Sequence, residues 1–96
     1  MNRTEHILTC AAEECAEVAQ RITKALRFGL AEVQPGQTLT NAERICVETK
    51  DLIALLIGLY DGKHIPMFEP TNVEVATKLA KVERFMVYAR TQGALT

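Results

Sequence analysis

The chain has no tryptophan, no excess of charge of either sign, no apolar run of membrane-spanning length and no alternating run of strand length. Each gap excludes something. With 11 basic against 12 acidic residues the net charge is −1, too little positive charge to drive binding to a phosphate backbone, so no nucleic-acid partner is expected. The longest uninterrupted apolar stretch, "LIALLIGLY" from Leu52 to Tyr60, is about half of the roughly 20 residues a membrane span needs. The opening "MNRTEHIL" lacks the apolar core of a secretion signal, and a cytoplasmic protein with no membrane partner is the expectation. Cys10, Cys15 and Cys46 form no CxxC pair and have no histidine at zinc-ligand spacing, so they read as small reduced packing residues. His6 and His64 stand alone and complete no Glu-x-x-His pattern of a helical di-iron site.

What is present is apolar and helical. Of 96 residues 48% are hydrophobic and only 5% aromatic, which suits one domain spanning residues 1–96. From Thr4 to Phe28 there is neither proline nor glycine, apolar residues recur at helical spacing, and Gly29 stands at the C-cap position. "LAEVQPGQTL" carries a Pro-Gly pair and reads as a loop. Thr40 and Glu43 have the spacing of a capping box, opening a second helix that runs to about Tyr60 before "DG". After a loop containing Pro66 and Pro70, Thr71 and Glu74 repeat the box and start a third helix that continues to about Thr91. The fold is expected to be all-α, a bundle of three main helices. The second helix is apolar nearly all round, more than two neighbours can cover, which predicts a homodimer or homotetramer that completes a four-helix core.

The acids sit where acids are costly. At about 100° per residue, Glu48 falls within the stripe of Leu52, Leu55 and Leu59, with Asp51 at its edge roughly 60° away. On the first helix Glu14 borders the apolar face beside Ile7 and Ala25, and Glu17 lies one turn along, turned further out. If the two helices pack antiparallel, as a ten-residue connection permits, four carboxylates converge inside the bundle. Such a cluster is unfavourable unless a cation neutralises it, and an all-carboxylate set without histidine or thiolate suits a hard divalent ion, Mg²⁺ or Mn²⁺.

Two motifs, EExxE (Glu13, Glu14, Glu17) followed by ExxD (Glu48, Asp51), each on a helix of an all-α chain, give a pattern that resembles the MazG-like nucleoside triphosphate pyrophosphohydrolases, the superfamily that also holds the dimeric dUTPases. The resemblance covers most of the chain and extends to Lys24 in "EVAQRITKALRFG", to "DLIALLIGL" and to "KLAKVERF"; the gap between the motifs is slightly longer than the family's. It implies Mg²⁺-dependent hydrolysis of a nucleoside or deoxynucleoside triphosphate between the α and β phosphates, giving monophosphate and pyrophosphate. By that analogy Glu14, Glu17, Glu48 and Asp51 hold the metal and Glu13 orients the attacking water or supports a ligand. Lys24, Lys78, Lys81 and Arg84 are the candidates for holding the polyphosphate. The competing reading is a non-catalytic helical homo-oligomer, an interaction module whose acids are solvated or paired across subunits; taken alone, "EECAE" also reads as a solvated edge paired with Arg21, Lys24 and Arg27 on the same helix.

Overall fold

A computed structural model describes the whole chain, residues 1–96. It is all-helical, with no strand: α1 (Arg3–Phe28), α2 (Asn41–Asp61) and α3 (Asn72–Thr91). Both expected capping boxes are present. Thr40 Oγ1 accepts from the Glu43 N–H at 3.1 Å while Glu43 Oε1 accepts from the Thr40 N–H at 3.0 Å, and Thr71 and Glu74 repeat these distances. A third box opens α1, where Asn2 Oδ1 accepts from the Glu5 N–H and Glu5 Oε2 accepts from the Asn2 N–H. α1 ends at Gly29, whose φ of 102° suits a residue without Cβ and whose N–H donates to the Ala25 carbonyl.

α1 and α2 pack against each other, and their contacts fix an antiparallel arrangement. The start of α1 meets the segment after α2, with Thr4 Oγ1 3.2 Å from His64 Nε2, whereas at the opposite end the Ala42 N–H donates to the Leu30 carbonyl. Asn41 locks that second end. Its side chain is 1% exposed and its Nδ2 donates to the Gly29 carbonyl at 2.8 Å and to Glu32 Oε1 at 3.1 Å. A buried amide at the end of the loop bonded to two residues at its start fixes one loop geometry, because leaving its donors unmade costs about 1–3 kcal/mol. Arg44 Nη1 adds a 2.7 Å bond to Gln34 Oε1.

The core of this pair is thin: Ala11, Ala25 and Leu59 are its only buried apolar residues. Leu52, Leu55 and Leu56 are half-buried, and Val47, Ile53 and Ile57 are exposed, so α1 covers one side of α2 and leaves the rest open. α3 packs against neither α1 nor α2. The three helices therefore do not make a bundle within one chain, because the loop holding Pro66 and Pro70 carries α3 away from the pair. The radius of gyration, 16.9 Å, exceeds the roughly 12.5 Å of a compact domain of this length. The cysteines also differ from expectation: all three are free, but Cys15 and Cys46 are exposed instead of packed.

The caps carry a testable consequence. Thr40→Ala should lower the free energy of unfolding by about 1 kcal/mol, read from the urea midpoint. The backbone and hydroxyl of Thr40 hold the Glu43 carboxyl below its ordinary 4.5, and Thr71 does the same for Glu74. Their contribution is thus present above pH 4.5 and lost as the pH falls through the lowered folded-state values, so the Thr40→Ala deficit should shrink in that acid range.

Candidate acidic metal centre

Antiparallel packing places the middle of α1 against the first half of α2, and there the acids meet. Carboxylate oxygens of Glu14 and Glu17 on α1 and of Glu48 on α2 all lie within 4.8 Å of one another. Glu14 and Glu48 are half-buried and Glu17 is exposed, so the cluster opens to solvent along its Glu17 side. Two oxygens bonded to one ion at about 2.1 Å stand no more than about 4.2 Å apart, and a small side-chain adjustment brings these three within that limit.

Electrostatic stress concentrates on Glu14. Loss of water around it raises its pKa above the ordinary 4.5, and the neighbouring charges of Glu17, Asp51 and Glu48 push it further in the same direction. Glu14 Oε2 is covered and has no hydrogen-bond partner. Ionising a covered carboxylate among like charges is costly without an opposite charge nearby, a hydrogen bond with Glu48 favours its protonated form, and three carboxylates are the donor type that hard divalent ions take.

The remaining sequence candidates fall into three places. Asp51 is exposed and outside the 4.8 Å cluster, yet near enough for its charge to act on Glu14. Glu13 is exposed and not part of the cluster. Lys24 is half-buried on α1, one turn beyond Arg21. Lys78, Lys81 and Arg84 lie exposed on α3, which touches neither acid-bearing helix, so one chain does not bring them to the acids. Lys81 Nζ instead sits 5.9 Å from the Phe85 ring centroid, and Lys81, Arg84, Phe85 and Tyr88 line a shallow open recess of about 340 Å³.

Arg21 is the member of the site that sequence reasoning took for a surface charge. Its side chain is 16% exposed, and its Nε lies 3.8 Å from Glu48 Oε1 across the helix pair, an ion-pair distance too long for a hydrogen bond. The signal for it is the helical register, since Arg21 lies seven residues from Glu14 and four from Glu17, on the same stripe of α1.

Comparison of the chain with models of protein families, with curated proteins and with solved structures finds no match in any of the three. The site is therefore read from its own chemistry.

Glu14→Gln tests the electrostatic account. Without divalent ions at neutral pH the variant should melt above the wild type, because the charge opposed by Glu17, Asp51 and Glu48 is gone. A raised folded-state pKa confers stability that is present at low pH and lost as the pH rises through it. The advantage of Glu14→Gln should therefore disappear as the pH falls towards 4.5, where the wild type takes up the proton itself.

Proposed function

We propose that the chain is a MazG-like, Mg²⁺-dependent pyrophosphohydrolase that splits a nucleoside or deoxynucleoside triphosphate between the α and β phosphates, releasing monophosphate and pyrophosphate. One observation carries the reading: Glu14, Glu17 and Glu48, from two helices, converge within 4.8 Å with Glu14 short of a counter-charge. EExxE and ExxD, far apart in sequence, are thereby neighbours across one helix pair.

In this reading Glu14, Glu17 and Glu48 hold Mg²⁺ or Mn²⁺, and Asp51 completes the set from the edge. A bound divalent ion supplies charge neutralisation for the polyphosphate and lowers the pKa of its water. Glu13, at the rim, accepts a hydrogen bond from the attacking water and orients it. The half-buried Lys24 faces the triphosphate from α1, while Lys78, Lys81 and Arg84 bring further positive charge from the α3 of a second copy, since one chain does not bring them to the acids. Attack by water at a phosphorus flanking the α–β bridging oxygen breaks the bond from that phosphorus to the bridging oxygen; the water's oxygen stays on the phosphorus attacked, its proton passes to solvent, and monophosphate and pyrophosphate separate. Catalysis is then mostly positioning and electrostatic stabilisation, as in other phosphoryl transfers.

We also propose that the chain works as a homodimer or homotetramer in which α3 finds its packing partner in another copy. An isolated helix of 20 residues without tertiary packing is only marginally stable in water. Leu79, Phe85 and Tyr88 on α3 are each about 60% exposed, as are the open faces of α2 at Ile53 and Ile57 to a lesser degree. That exposure also favours the alternative function, a helical interaction module with no catalysis, and the two separate on metal dependence.

Two measurements test these readings. Purified protein incubated with Mg²⁺ and each common nucleoside and deoxynucleoside triphosphate should give monophosphate and pyrophosphate on ion-exchange chromatography, with at least a hundredfold loss in Glu48→Gln, on the scale of removing one electrostatic stabiliser of a transition state. No product with any nucleotide in Mg²⁺ or Mn²⁺ would leave the interaction module. Light scattering on a sizing column should give the mass of a dimer or tetramer, and Phe85→Glu, which puts a charge into the exposed α3 face, should shift it towards the 10.7 kDa monomer.

A further inference from the structure

The functional reading leaves one half-buried charge without a task. Arg21 is 16% exposed at its side chain, and two of its donor atoms, Nε and Nη1, are covered and make no hydrogen bond. A guanidinium stays in such a place only against negative charge, because removing it from water costs several kcal/mol when it is unpaired. The charge is there: Glu48 Oε1 stands 3.8 Å from Nε, and Glu48 is within 4.8 Å of both Glu14 and Glu17. A solvated arginine of α1 would instead extend outward, as Arg27 does over the exposed Phe28 ring at 4.8 Å.

Contact with substrate phosphate is the other task an arginine beside such a site could have. The covered state of Nε and Nη1 argues against it, since a phosphate oxygen reaches neither atom unless the side chain moves. Nε lies 3.8 Å from the Glu48 carboxylate, the group that the metal-binding reading gives to the ion.

We propose that Arg21 is a tethered counter-cation of the acidic cluster, a positioning residue that holds the Glu48 carboxylate in place while no divalent ion is bound and opposes the binding of that ion. The first half stands on the geometry alone, whereas the second rests on the metal-binding reading above. Without Arg21 three carboxylates face one another across α1 and α2 with no opposite charge among them, and the pair loosens. With it, the cluster is assembled before the ion arrives, and the ion binds against a fixed positive charge a few ångströms away. At a separation of about 6 Å, beyond the Glu48 oxygen as seen from Arg21, a unit charge and a divalent ion in water repel by enough to change an affinity about tenfold. Removing the charge should therefore tighten ion binding by about tenfold.

The test uses the whole chain with Arg21→Met, which keeps an aliphatic stem but no charge, and Arg21→Lys, which keeps the charge. Melting temperature is measured in EDTA, and Mn²⁺ affinity from the free-ion signal in electron paramagnetic resonance. The expected result is that Arg21→Met melts lower than the wild type in EDTA yet binds Mn²⁺ about tenfold more tightly, with Arg21→Lys close to the wild type in affinity. A methionine variant with unchanged melting in EDTA, or with unchanged or weaker Mn²⁺ affinity while the wild type binds the ion, overturns the proposal. If neither protein binds Mn²⁺, the metal reading and the opposition to the ion both fail, and the EDTA comparison still decides whether Arg21 neutralises the cluster.

Discussion

Three carboxylates facing one another across a helix pair are the constraint on which the rest of the molecule depends. Glu14, Glu17 and Glu48 would separate α1 from α2 if the register between them were not fixed elsewhere. It is fixed at both ends: by Asn41 binding the backbone of the connecting loop at one, and by the contact between Thr4 and His64 at the other. Between these ties the apolar seam is slight, with Ala11, Ala25 and Leu59 its fully buried members.

This arrangement spends stability on a site. A pair that buries so little apolar surface gains little from packing, and the raised pKa of Glu14 records a penalty on top of that. Here Glu14 Oε2 has no partner and Arg21 offers the cluster one positive charge against three acids, so the local balance is left negative.

The local features of the fold were legible in the sequence because they are short-range. The Thr40–Glu43 and Thr71–Glu74 boxes and the Gly29 stop each follow from residues within four positions of one another, and all three are present. Three of the four acids expected to meet, Glu14, Glu17 and Glu48, lie together and Asp51 stays outside; helical register put Glu48 within an apolar stripe and Glu14 at the border of one, and a short connection limited how those faces could meet. What depended on placement between elements was not legible. No pattern in α3 says that the proline-bearing loop directs it away from the pair, so the position of Lys78, Lys81 and Arg84 relative to the acids could not be read. Arg21 escaped for a related reason: an arginine near acids on a helix is ordinarily a solvated neighbour, and only the approach of α2 encloses it. The role of Asn41 was hidden as well, because its partners lie in an irregular loop with no periodicity.

The measurement that bears most directly on the account is a crystal structure grown with Mn²⁺, with anomalous scattering recorded at the manganese edge. The account expects an anomalous peak about 2 Å from carboxylate oxygens of Glu14, Glu17 and Glu48, between α1 and α2. A data set with no peak there, or with manganese bound only elsewhere, would contradict it.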